Sequence, residues 1–351
     1  MRVLAAGDHF VSPALLETCL REETGDSDDA AGLDIRRLTL PWPVEPFGPV
    51  GGVREASGDE ETLIKSLDGV EVCLTQMAPF TEAVFAAAPD LRLVAVCRGG
   101  PVNVDLAAAT RAGVAVTYAP GRNASAAAEY AVGMILAAMR HIPHADAELH
   151  AGSWRGDLYA YDKAGLELSG TAVGLVGYGA IGRIVARVLR AFGARVLVSD
   201  PYADAGALAE DGVTPLDLDD LLRASSVVSL HARLTPETRH LIDARRLALL
   251  PHGAVLVNTA RGELLDHEPL PAALADGRLR AVALDVYDVE PPPADWALRG
   301  VPGVVATPHL AGATRQTAER AARIVAGEAA RHLRGLPPEH PANPEAAGGR
   351  S

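Results

Sequence analysis

Short apolar runs alternate with longer helix-like stretches along nearly the whole chain. Such runs suit strands buried on both faces of a parallel sheet, with the longer stretches as crossover helices. In the first third, Val3–Ala6, Ile35–Leu40, Val70–Leu74, Leu93–Val96 and Val114–Tyr118 read as strands. Ser12–Arg21, Pro79–Ala87 and Asp105–Arg111 read as helices. Between them, residues 41–52 carry Pro41, Pro43, Gly48, Pro49, Gly51 and Gly52, a turn-rich insert expected as surface loop. The texture then changes. Asn123–Met139 is Ala-rich, with Asn123 or Ser125 available as N-cap, and predicts one long helix. The arm that follows, residues 141–169, contains Trp154, Tyr159 and Tyr161 and keeps neither the strand nor the helix period. A second series starts at Thr171, with strands at Ala172–Val176, Arg195–Ser199, Ser226–Leu230, Ala254–Asn258, Ala281–Asp285 and Val304–Ala306. The helix Thr314–Leu333 closes it, and residues 336–351, opened by Leu336-Pro337-Pro338, read as a disordered tail.

Composition adds limits. A chain of 351 residues that is 48% hydrophobic and 22% charged suits two soluble α/β domains. No uninterrupted apolar stretch is long enough to span a membrane, and Met1–Ala5 reaches Gly7-Asp8 too soon for a secretory signal. The formal charge of −13, without a Lys/Arg run, argues against a nucleic-acid partner but leaves room for a small anionic substrate in a locally basic cleft. Cys19, Cys73 and Cys97 are scattered and read as small buried hydrophobes of a reducing cytoplasm. Asp28-Asp29 and Asp59-Glu60-Glu61 read as solvated loop charge. His141 and His144 have metal-ligand spacing without a third ligand, so they read as surface histidines and no metal is expected.

The first chemical signal is Gly177-Tyr178-Gly179-Ala180-Ile181-Gly182, placed between a predicted strand and a predicted helix. The first glycine permits the tight turn, the second admits a pyrophosphate against backbone, and the third lets helix and strand pack closely. The next strand ends at Asp200-Pro201. A carboxylate there accepts hydrogen bonds from a ribose 2′-hydroxyl and repels a 2′-phosphate, which favours NAD over NADP.

Three further polar residues follow strand ends: Arg261 after 254–258, Glu290 after 281–285 and His309 after 304–306. Residues beyond the carboxyl ends of parallel strands converge on the ligand crevice. An arginine fork matches a carboxylate, a histidine exchanges protons near neutrality, and a carboxylate beside it orients the ring.

With these segments, Arg98-Gly99-Gly100-Pro101-Val102-Asn103-Val104-Asp105, Ala119-Pro120-Gly121-Arg122-Asn123, and Leu230-His231 followed by Leu234-Thr235-Pro236-Glu237-Thr238, nearly the whole chain resembles the D-2-hydroxyacid dehydrogenases, particularly phosphoglycerate dehydrogenase-like members. The resemblance implies an NAD-dependent oxidoreductase acting on a 2-hydroxy or 2-keto acid. In it Arg261 holds the substrate carboxylate, His309 is the acid/base and Glu290 pairs with His309. It places Gly99 and Gly100 at the substrate carboxylate, with Arg98 open between substrate contact and ion pair. Tyr178, Gly179, Ala180, Ile181, Asp200, Pro201, His231 and Thr238 would line the adenosine and phosphate part of NAD. Thr259, Ala260, Asp285, His309, Ala311 and Gly312 would lie about its nicotinamide end. Arg233 stands where many relatives have proline, Gly170-Thr171 departs from their Gly-Lys-Thr, and Arg-Gly-Gly-Pro at 98–101 departs from their Gly-x-Gly.

The fold so implied has a flavodoxin-like substrate domain (1–118 plus 309–335) and a Rossmann NAD domain (119–308), with the active site in the cleft between them. A homodimer built on the 123–139 helix and the 141–169 arm is also implied. Two rival readings remain: the same chemistry on a phosphorylated or phosphonate acid held by Arg98 with Arg122, and an NAD-responsive binding or regulatory protein of this fold.

Overall fold

The computed structural model describes residues 1–25, 32–42 and 46–346, so Asp28 and Asp29 lie outside the described residues. The chain divides into two compact units, residues 1–123 with 313–351, and residues 124–312.

In the first unit, β1 (Arg2–Gly7), β2 (Asp34–Thr39), β3 (Val72–Thr75), β4 (Leu93–Val96) and β5 (Ala115–Tyr118) form one sheet in the order β2-β1-β3-β4-β5. Every pairing is parallel. The apolar runs are unbroken because both faces are covered. Val3 and Ala5 pack with the helices Pro13–Thr24 and Arg315–Leu333, whereas their neighbours Leu4 and Ala6 pack with the helices Glu60–Ser66, Glu82–Ala87 and Leu106–Ala112. The Asp59-Glu60-Glu61 cluster is not loop charge. Asp59 caps the 60–66 helix by accepting from Thr62 N–H at 2.8 Å, and Glu60 and Glu61 sit in its first turn, favoured by the helix dipole.

The tail also differs from expectation as far as Ala346. Thr117 bridges Pro341, and buried Asn343 accepts from Val116 N–H at 2.8 Å and donates to Val114 O at 3.0 Å. Buried Glu328 accepts from the N–H groups of Glu339 and His340. Pro and Gly content signals chain without regular structure, but here side-chain hydrogen bonds pin an irregular segment to the sheet edge. Residues 347–351 lie outside the described residues.

The second unit carries β6 (Ala172–Val176), β7 (Arg195–Ser199), β8 (Thr214–Pro215), β9 (Val227–Leu230), β10 (Ala254–Asn258), β11 (Leu279–Leu284) and β12 (Val304–Ala306). Their order is β12-β11-β10-β9-β6-β7-β8, all parallel. The order reverses at β6, whose neighbours are β7 and β9, making the switch point where such sheets bind ligands. The long helix, Ala124–Met139, packs with helix Ala180–Ala191 and one sheet face. The 180–191 helix buries Gly182, Val185, Ala186 and Leu189, one stripe at helical spacing. The arm, aperiodic in sequence, contains the short helix Ile142–His150 and a 3₁₀ turn at Gly156–Tyr159. His141 Nε2 bonds Lys163 O, and His144 Nε2 bonds Arg155 Nη1. All three cysteines are buried and free. Among the described residues no helix is long and apolar enough to cross a membrane.

Candidate functional site

The glycine loop sits at the switch point and has little room. Gly177 has φ +100°, and a Cβ there would lie 2.5 Å from Ala232 N at the end of β9. A Cβ on Gly182 would meet Gly177 O at 2.5 Å, while one on Gly179 would meet nothing within 4 Å. The outer glycines are therefore demanded by the fold, and the middle one leaves its backbone open to approach. Gly179 and Ala180 are exposed at the start of the 180–191 helix, where first-turn N–H groups have no helical partners. Asp200 follows β7 and accepts from Tyr178 N–H at 2.7 Å and Tyr202 N–H at 2.9 Å, which ties the acid to the loop. An open cradle at a helix N-terminus with a carboxylate beside it fits a dinucleotide. Pro201, next in the chain after that carboxylate, is exposed.

His231, just past β9, bonds Ser229 Oγ at 3.0 Å, and burial pushes its imidazole down to about 4. The ring is neutral at physiological pH and adds no cation to the loop. Thr238 accepts from Thr235 N–H and donates to Arg233 O, so it shapes the turn of its own loop.

The three proposed reacting groups share the second unit. His309 Nδ1 lies 2.8 Å from Glu290 Oε2, and Glu290 Oε1 accepts from Tyr287 N–H at 3.1 Å. Burial tends to raise the Glu290 carboxyl, but the His309 hydrogen bond and charge, the Tyr287 N–H and Arg261 together hold it below its ordinary value. Glu290 is thus an anion that only accepts, so Nδ1 carries the proton toward it. That leaves Nε2 as the nitrogen free to exchange a proton. His309 is half-exposed, 49% for its side chain, as a group that meets a ligand must be.

Backbone geometry presents the ring. His309 has φ +54°, and the segment around it is clamped by Asp285, which is wholly buried. Asp285 Oδ1 accepts from Thr307 Oγ1 at 2.7 Å and Leu310 N–H at 2.8 Å, and Oδ2 accepts from Ala311 N–H at 2.8 Å. Tyr287 donates its hydroxyl to Thr307 O at 2.9 Å. Asp285 thus binds this loop's own groups, and Tyr130 of the long helix reaches it as well. Arg261 is exposed after β10, in a turn held by Asn258, whose Nδ2 donates to Arg261 O and whose Oδ1 accepts from Ala260 N–H. Gly262 is needed beside it, because a Cβ would collide with the Tyr287 carbonyl. Asn258, Tyr287 and Thr307 hold the turns around these groups, and the sequence does not single them out. Each lies within three residues of one that it does, and polarity just past a strand end is the available signal. Thr259 and Ala311 are buried, and Ala260 and Gly312 half-buried, along these turns.

In the first unit, Arg98 follows β4 and pairs with Glu55 at 3.4 Å. Gly99 is exposed, and among the described residues neither the Gly99 nor the Gly100 N–H donates a hydrogen bond.

A Rossmann unit with a histidine–carboxylate pair at the carboxyl edge of its sheet has the form of a dinucleotide-dependent dehydrogenase. Residues 132–311 match the family described as D-isomer specific 2-hydroxyacid dehydrogenase, NAD binding domain. The D-3-phosphoglycerate dehydrogenase of Mycobacterium bovis is 41% identical over 288 residues, 82% of this chain and 54% of that protein. A glyoxylate reductase of Korarchaeum cryptofilum is 36% identical, over 80% of this chain and 84% of its own. A solved protein from Thermus thermophilus superposes with TM-score 0.79 at 32% identity, covering 97% of this chain and 100% of that one. The chain belongs to the D-isomer-specific 2-hydroxyacid dehydrogenase family, with NAD as the family's cofactor. It spans about half the length of the phosphoglycerate dehydrogenases it matches.

Proposed function

We propose that the chain transfers a hydride between NAD and C2 of a small 2-hydroxy or 2-keto acid. The observation that carries this reading is the 2.8 Å pairing of His309 Nδ1 with an ionised Glu290. When bound, NAD accepts or supplies the hydride. In keto-acid reduction His309 Nε2 gives its proton to the substrate oxygen, and in oxidation it takes one back; Glu290 stabilises the charged ring. Arg261 forks onto the substrate carboxylate, and the unbonded N–H groups of Gly99 and Gly100 offer a second place for it. Arg98 belongs with them as a substrate-side cation. The loop 177–182 with Asp200 and Pro201 holds the adenosine and pyrophosphate, together with His231 and Thr238. Thr259, Ala260, Asp285 and Gly312 flank the nicotinamide. An NAD-responsive regulatory protein would need no acid/base pair, so the pairing favours the enzyme.

The exposed arm residues Trp154, Tyr159 and Tyr161 support a homodimer, since apolar surface of that size rarely faces solvent in a monomer. Loss of NADH absorbance with a panel of 2-keto acids tests the activity. At least one acid is expected to turn over, and Arg261→Ala is expected to lower its kcat/KM by about 100-fold or more. A flat panel despite tight NADH binding sinks the reading.

A further inference from the structure

We propose that Arg122, at the carboxyl edge of the five-stranded sheet, is a specificity residue that takes a second anionic group, carboxylate or phosphate, of an oxygen-rich substrate. This rests on the hydride-transfer reading above and names the class of acid it acts on.

Strand register sets out the place. Ala6 pairs with Thr75, Thr75 with Val96, and Val96 with Tyr118. The residues just past those ends, Asp8, Gln76, Cys97-Arg98 and the stretch leading to Arg122, therefore share one edge. Parallel sheets bind ligands on that edge.

Unlike typical strand-end residues, this row is left with polar atoms unpaired. Arg122 is only 7% exposed, yet its Nε and Nη1 are buried without a hydrogen-bond partner among the described residues. Burying a guanidinium without acceptors is costly, and each such group in a native fold calls for an explanation. Burial first, and then the like charge of Arg98, push Arg122 down to about 10, so it is still a cation at neutral pH. The nearby carboxylate does not satisfy it. Asp8 Oδ1 is taken by the N–H groups of Phe10 and Val11, and among the described residues Asp8 Oδ2 has no partner. Gln76 Oε1, also buried, has none among them either.

The row thus offers cationic N–H donors and, beside them, bare acceptors. Its complement is a second anionic group on an oxygen-rich acid. An aliphatic acid would leave every one of these atoms unpaired, and a site built for polar groups rejects a ligand lacking them. Exposed Gly99 and half-buried Gly100 lie on the same edge and open it to solvent.

The test compares kcat/KM for NADH oxidation by the full chain with glyoxylate, 2-oxoisocaproate, oxaloacetate and 3-phosphohydroxypyruvate. The wild type is expected to favour oxaloacetate or 3-phosphohydroxypyruvate over 2-oxoisocaproate by about tenfold or more, and which of the two leads tells carboxylate from phosphate. Arg122→Gln is expected to lose at least about tenfold more on that acid than on glyoxylate, and Arg122→Lys to recover part of the difference. Equal losses on all acids would assign Arg122 to folding alone, and an aliphatic preference in the wild type would overturn the proposal. Should Arg122→Gln fail to fold, Arg122→Lys carries the same comparison. Turnover of glyoxylate without the selective loss defeats this inference while the hydride-transfer reading stands. Should no acid turn over, the melting temperature with saturating NADH decides: malonate or inorganic phosphate must raise it in the wild type and not in the variant, and no rise overturns the proposal.

Discussion

Two histidines of the second unit, chemically the same side chain, are set to different tasks by their surroundings. His309 faces a carboxylate and solvent; His231 is half-buried against a serine hydroxyl. Burial holds His231 neutral down to about 4, whereas an unfolded histidine binds its proton near 6.5. Because the unfolded chain takes up the proton first, this group's contribution is complete above about 6.5 and shrinks as pH falls toward 4. The melting temperature is therefore expected to fall between pH 7 and pH 5, and to fall less in His231→Gln, which keeps a polar partner for Ser229 and does not titrate. Parallel pH curves for the two proteins would contradict the assignment. The sequence suggests that His231 belongs with the cofactor loop, but its neutrality depends on how completely neighbours exclude water, which spacing cannot express.

At the scale of elements, turns after strands do the positioning. Asp285 shows this best. Read from sequence as a residue near the nicotinamide, it uses both carboxylate oxygens to fix Thr307, Leu310 and Ala311 around His309. Asp285→Asn keeps the shape and replaces one acceptor oxygen with a donor that faces an N–H or hydroxyl. It is expected to cut kcat by about tenfold or more while NADH affinity changes little, read by single-turnover kinetics and fluorescence titration. A loss confined to NADH affinity would mean Asp285 serves the cofactor directly. The strands are legible because buried parallel strands are written as apolar runs: β4, β6, β7, β10 and β12 fall where the runs do. The helix at 60–66 is not, because its capping acid and first-turn glutamates look like a charged loop until Leu63 is seen buried beneath them. The docked 336–346 segment escapes the sequence for the opposite reason, since it is held by Asn343 and Glu328, two side chains with no periodic signature, and by backbone bonds to β5.

For the whole molecule, the two sheets have separate roles in the proposed chemistry. The seven-stranded one carries the dinucleotide cradle and the His309–Glu290 pair, and the five-stranded one carries the unpaired polar row around Arg122. The arm is strongly exposed: Tyr161 fully, and Trp154 and Tyr159 nearly so. Aromatics in such an arm suit either an interface or packing within the chain, and their exposure within one chain favours the interface. Sedimentation equilibrium is expected to give twice the chain mass for the wild type, and a shift toward single chains for Trp154→Asp with Tyr161→Asp. A wild type of single-chain mass would rule the dimer out.

The central claim is that His309, oriented by Glu290, moves the proton that accompanies hydride transfer. Its most direct test is His309→Ala, assayed for NADH oxidation with the best acid of the panel and for NADH binding by fluorescence. A fall in kcat of about 100- to 10,000-fold with NADH affinity nearly unchanged is the expected result. Near-normal turnover by the purified variant would contradict it.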